Sequence, residues 1–125
     1  MLQAVGLPHT RTPEAMRART HDDSEISRRL SGALSEWRYA EGHLVREFQT
    51  GDWRRGSLLA GAIAFLGEAA FHHPDLTVSF PSLTVRLRSH EADGITDADF
   101  ELADKIEEVA GWRPESGGPA DDWIS

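Results

Sequence analysis

Between residues 24 and 110 the apolar positions change period several times, and each change marks a new element. Ile26, Leu30, Ala33, Leu34 and Trp37 recur every three to four residues behind Ser24, a helix-capping residue type, which predicts a first amphipathic helix. Residues 37–48 (WRYAEGHLVREF) then set aromatic and aliphatic side chains on either side of Glu41 and Gly42. That is the pattern of two strands joined by a tight turn whose glycine supplies φ > 0. Thr50, Gly51 and Asp52 break the strand and offer Asp52 as an N-cap, after which Leu58, Leu59, Ala62, Ile63, Leu66, Ala69 and Ala70 mark one face of a long helix. Gly56, Gly61 and Gly67 weaken it by about 1 kcal/mol each relative to alanine, so it must be held by packing. Proline disfavours helical backbone in the residue before it, and the helix is expected to end at His73 and Pro74.

Beyond the proline, Leu76, Val78 and Phe80 alternate with polar residues, and so do Leu83, Val85 and Leu87, but the parity changes across Pro81 and Ser82. Either a turn or a bulge lies there, within a pair of strands that ends near Ser89 and His90. Asp93 and Gly94 form a turn before a last helix, which opens on the capping-box variant Thr96-Asp97-Ala98-Asp99 and turns Phe100, Ala103, Ile106, Val109 and Ala110 to one side. The order is α-β-β-α-β-β-α: an α+β fold with a four-stranded antiparallel sheet, helices packed on one face and the other face open. Residues 23–111 make up the predicted domain. Residues 1–22 show no sustained period and read as a loosely ordered arm, and residues 112–125, rich in Gly, Pro and Asp, as a flexible tail from which Trp112 and Trp123 could dock.

Composition narrows the function. A length of 125 residues suits one core, and no apolar run is long enough to cross a bilayer. The first twenty residues contain no signal-like apolar stretch and the chain has no cysteine, so disulfides and thiolate metal sites are excluded and a cytoplasmic protein is expected. The Arg-, Ala-, Gly- and Asp-rich vocabulary with Lys105 as its one lysine suggests a GC-rich bacterial genome. A formal charge of −8 repels nucleic acid and anionic membranes alike.

Six histidines remain to be explained, two of them adjacent at the end of the long helix. Alone, His72-His73-Pro74 reads equally as a solvated helix stop. A helix C-terminus stabilises an imidazolium whereas burial disfavours it, so such a pair is also suited to exchanging protons near neutrality. His90, at the end of the fourth strand, can reach the same region. Glu68 lies one helical turn before His72, and Asp99 opens the last helix, each with an ordinary structural role available as surface carboxylate or capping residue.

The run Glu68-x3-His72-His73-Pro74, then His90 and Glu91, then Gly94-Ile95-Thr96-x2-Asp99-x2-Leu102-Ala103 resembles the pterin-4a-carbinolamine dehydratases, also known as dimerisation cofactors of a homeodomain transcription factor. The 17-residue step from His73 to His90 and the nine-residue step to Asp99 match that family without a gap, and the similarity extends from about Ile26 to Ala110. The resemblance implies dehydration of 4a-hydroxytetrahydropterin to quinonoid dihydropterin, in the recycling pathway of aromatic amino-acid hydroxylases, by a homodimer or homotetramer that needs no cofactor and no metal. It implies His72 and His90 as general acid and base, His73 as the residue that orients the pterin, and Asp99 and Glu68 as groups that polarise the imidazoles. Pro74, Ser89 and Glu91 complete the implied substrate contacts.

Leu76, Val78 and Ser89 depart from the family pattern, which bears on pterin packing more than on proton transfer. Three other readings compete. A metal site is disfavoured because adjacent histidines diverge and no His-x3-His is present. A nucleic-acid binder lacks its basic stripe. A binding or assembly protein that keeps the fold without the reaction, such as a transcriptional partner or a scaffold for the carbon-fixing enzyme of carboxysomes, is the alternative, since fold alone does not determine function.

Overall fold

In the computed structural model, which describes residues 19–118 and 124–125, Glu41 and Gly42 both take positive φ, 53° and 81°. This two-residue turn has the twist that antiparallel strands require, and it pairs β1 (Arg38–Ala40) with β2 (His43–Gln49). The second hairpin joins β3 (Asp75–Val78) to β4 (Ser82–Leu87), and the sheet order is β1-β2-β4-β3, antiparallel throughout. The parity change is a turn and not a bulge. Val78 faces Leu83 and Leu76 faces Val85, so even positions on one strand share a face with odd positions on the other. Ser79 N–H donates to the Ser82 carbonyl (2.9 Å) to close that turn, and Phe80, expected in the strand, projects from it into solvent.

One face of the sheet, with Leu44, Phe48, Leu83, Val85 and Leu87, forms a single core with residues of three helices, α1 (Asp23–Arg29), α2 (Trp53–Ala70) and α3 (Asp97–Gly111). The α+β order read from the sequence is the observed one. No helix is long and apolar enough to cross a membrane among the described residues. The core face also carries Arg46, whose guanidinium bonds Glu107 (2.7 Å), which in turn accepts from the Trp37 indole (2.8 Å). That pairing offsets the cost of burying a cation.

Four details differ from the pattern-based reading. The cap of α1 is Asp22 and not Ser24, and the helix stops at Arg29. Gly32, at φ 83°, opens a short 3-10 turn (Gly32–Leu34), so Leu34 reaches the core from that turn and Trp37 from the segment just before β1. On α2 the buried stripe is Gly56, Leu59, Ile63 and Gly67, while Leu58 (57% exposed), Ala69 and Ala70 face outward beside Phe65 (71%). On α3 Leu102 is buried and Val109 is partly exposed. The glycines explain the shift on α2. A Cβ at Gly67 would lie 2.7 Å from Pro74 Cδ, whereas one at Gly61 would meet nothing within 4 Å. Gly61→Ala is therefore expected to stabilise the fold by about 0.5–1 kcal/mol, and Gly67→Ala to destabilise it by about 1–3 kcal/mol through overpacking, as read from urea unfolding.

Residues on either side of 23–111 also make contacts with the fold. Residues 1–18 of the predicted arm and Trp123 of the tail lie outside the described residues. At the near end of the arm, however, His21 is 9% exposed, with Nδ1 3.0 Å from Glu25 and Nε2 2.7 Å from Asp97. In the tail, Gln49 and Ser125 exchange two backbone hydrogen bonds and Ile124 packs against the core, while Trp112 is exposed.

The hydrogen bond from His21 holds the Glu25 carboxyl below its usual range. Burial pushes Asp97 up, but hydrogen bonds from His21 and Arg29 outweigh it and leave Asp97 low as well. A carboxyl that ionises more readily in the folded state stabilises that state above its unfolded value, and the gain disappears as pH falls through the lowered folded value. The melting temperature is thus expected to fall as pH drops below the ordinary values of 4.5 and 3.8, and less so in Asp97→Asn.

Candidate active site

Helix α2 ends earlier than its proline requires. Phe71 adopts the left-handed conformation (φ 51°, ψ 46°); its N–H bonds the Glu68 carbonyl (3.1 Å), and His72 N–H bonds that of Gly67 (2.9 Å). This is a helix stop usually built on glycine, and holding a Cβ residue there costs about 1–2 kcal/mol. The reversal sends the two histidines in different directions. His72 Nε2 lies 2.6 Å from Asp99 Oδ1, and His73 Nε2 lies 2.9 Å from Glu68 Oε1. Glu68, one turn from His72 in sequence, therefore serves His73 instead.

Asp99 is fully buried. Its Oδ2 accepts from Ser89 Oγ (2.8 Å) and from Thr96 N–H (2.9 Å), and the Thr96 hydroxyl lies 2.7 Å from Ser89 Oγ. Ser89 gives its proton to the carboxylate, so Thr96 is the donor in the second contact. All three donors that converge on Asp99 are then satisfied, and an ionised Asp99 requires His72 Nε2 to carry a proton, which leaves Nδ1 to accept one. The N3 carboxylate of the α3 capping box thus also orients an imidazole.

His90 follows the Ser89–Gly94 bridge in a turn that Asp93, at φ 58°, helps to close. Its ring meets the edge of His43 from the β1–β2 hairpin, centroids 6.3 Å apart. Arg88 ties these two turns together, donating to the Gly42 carbonyl (2.9 Å) and pairing with Asp93. Between the end of α2 and residues 88–91 lies an open cleft of about 240 Å³ lined by Phe71, His72, His73, Arg88, His90 and Glu91.

Of the residues singled out from sequence, His72, His73, His90 and Glu91 line this cleft, with Asp99 behind His72 and Glu68 beside His73. Ser89 and Pro74 do not line it. Ser89 is buried with its hydroxyl committed to Asp99, and Pro74 packs against Gly67. Leu76 and Val78 pack against the core, away from the cleft lining. Phe71 and Arg88 are additions to the lining, and His43 is an addition that touches the His90 ring without lining the cleft. Phe71 offered one signal, a bulky aromatic directly before a His-His-Pro stop; the other two depend on how the turns meet. Among the described residues no group of three or more His, Asp or Glu is arranged to hold a metal ion.

The family model for pterin 4 alpha carbinolamine dehydratase matches residues 19–109. The chain belongs to this family. A pterin-4-alpha-carbinolamine dehydratase, so named provisionally, from Aquifex aeolicus (strain VF5) is 41% identical over 87 residues, covering 70% of this chain and 87% of that one. A provisionally named dehydratase from Roseiflexus sp. (strain RS-1) is 37% identical, with 70% and 92% covered. Among solved structures, a transcriptional coactivator/pterin dehydratase from Brucella melitensis superposes with a TM-score of 0.69 at 25% identity, over 74% of this chain and all of that one.

Proposed function

We propose that this dehydratase-family chain removes water from 4a-hydroxytetrahydropterin to give quinonoid dihydropterin by histidine acid-base catalysis. The observation that carries the reading is that His72, after α2, and His90, after β4, line one cleft while a buried carboxylate backs only His72. His72, with Asp99 holding the imidazolium it would form, is the base here and not the acid, and takes the N5 proton. His90 delivers a proton to the C4a hydroxyl. The C4a–O bond breaks, the N5 lone pair forms the C=N bond, and water leaves, with the two ring protons re-equilibrating through solvent. His73, fixed by Glu68 and set edge-on to Phe71 (centroids 5.5 Å apart), orients the pterin.

The test is a stopped-flow dehydration assay on chemically generated 4a-hydroxytetrahydropterin. Wild type accelerating the reaction over buffer supports this reading, and no acceleration favours the binding or assembly role. On the catalytic reading the chain works in the cytoplasm, in pterin recycling for an aromatic amino-acid hydroxylase, as a homo-oligomer. Leu58 and Phe65, two turns apart on the outer face of α2, form an apolar surface suited to a second copy. Phe65→Glu is expected to lower the light-scattering mass to that of a monomer.

A further inference from the structure

Residues 94–97 are the short link between two parts of the site, the turn that bears His90 and the helix turn that bears Asp99. Thr20 and His21, which lie outside the domain as read from the apolar pattern, touch three of these four residues. Thr20 packs so closely on Gly94 that a Cβ there would lie 2.9 Å from Thr20 Cγ2. His21 N–H donates to the Ile95 carbonyl (2.8 Å), and His21 Nε2 meets Asp97 Oδ1 (2.7 Å). Asp97 also accepts from Arg29 (3.2 Å), and the His21 ring stands edge-on to Phe100, 5.6 Å between centroids.

We infer that His21 is a positioning residue of the proposed site: its ring, clamped between α1 and α3, fixes the link 94–97 and so the placement of His90 relative to the Asp99–His72 pair. The inference rests on the dehydratase reading for its effect on rate, though not for the geometry. Both ring nitrogens face carboxylate oxygens, Glu25 on α1 and Asp97 on α3, and a neutral imidazole has only one N–H to give. The clamp is therefore complete when the ring carries both protons. The other charged groups around it are Arg19 and Asp22, which act on Glu25, and Arg29, which acts on Asp97. Asp97 is the first residue of α3 and Asp99 the third, so a shift of the first turn moves the carboxylate that orients His72.

Two independent variants test this. His21→Gln removes the ring that faces both carboxylates. Gly94→Ala adds the Cβ that collides with Thr20, and Thr20→Ser in the Gly94→Ala background deletes the colliding methyl group while leaving His21 in place. His21→Gln and Gly94→Ala are each expected to lower kcat on the order of tenfold with KM little changed and to shift the ring resonances of His72 in histidine-detected NMR. Thr20→Ser is expected to restore both readouts in Gly94→Ala. A clamp with a purely structural role would lower the melting temperature and leave kcat and the His72 resonances where they are, and that result overturns the inference. If His21→Gln fails to fold, the Gly94 and Thr20 pair decides. If the wild type does not dehydrate the pterin, the dehydratase reading fails by itself, and the His72 resonances judge the clamp alone: displaced in Gly94→Ala and recovered with Thr20→Ser supports it, unmoved overturns it.

Discussion

Asparagine at position 99 is expected to lower the dehydration rate by about 10²–10⁴-fold, the range in which a positioned acid-base group contributes, while leaving the fold intact. The carboxylate accepts three hydrogen bonds, from His72 Nε2, Ser89 Oγ and Thr96 N–H, and has no proton to give. An amide has one oxygen and one NH2. The Thr96 N–H is a backbone donor that cannot reverse, so the amide oxygen must face it and the NH2 must face His72. Nε2 then has to accept, the ring proton moves to Nδ1, and the lone pair assigned to the N5 proton is lost. Asp99→Ala fails differently. It leaves Thr96 N–H and the Ser89 hydroxyl buried without an acceptor and empties the capping box, so it is expected to cost about 3 kcal/mol of stability as well as the rate. Stopped-flow rates with urea unfolding separate the two effects, and a wild-type rate in Asp99→Asn would mean that this carboxylate does not orient the base.

A single sequence reveals the features that are set within one turn of chain. Asp52 and the Thr96/Asp99 box were legible because a cap acts within one turn of its own helix, and the Glu41-Gly42 hairpin because two adjacent residues set its twist. His72 and His73 were visible as a pair for the same reason. Which carboxylate serves which ring is not legible there, because the left-handed turn at Phe71 assigns Glu68 to His73 and turns His72 toward Asp99, 27 residues away. The inward face of α2 departs from the apolar pattern around Gly56 and Gly67, since a glycine stripe enters no apolar periodicity. It becomes meaningful only when Thr50, Val78 and Pro74 are found against it. His21 shows the same limit from the other side. It sits among residues without period, and what ties it to the fold is a carboxylate 76 positions further on.

Truncating His72 is expected to be the most damaging of the single histidine changes, with a fall of about 10²–10⁴ in kcat for His72→Ala. His90→Ala should lose less. A solvent proton can substitute for the acid at an open cleft, whereas removing His72 also strands the buried Asp99 carboxylate without its imidazole partner. His73, held by an exposed Glu68 and placed to orient the ligand, should appear mainly in KM. Because His72 and His90 act on the same bond-breaking step, their effects should not multiply, and the double variant should be no slower than His72→Ala within a factor of a few. Full multiplication of the two losses would instead assign the rings to separate steps. Wild-type rates in both single variants would remove the imidazoles from the chemistry altogether, whatever their convergence on one cleft.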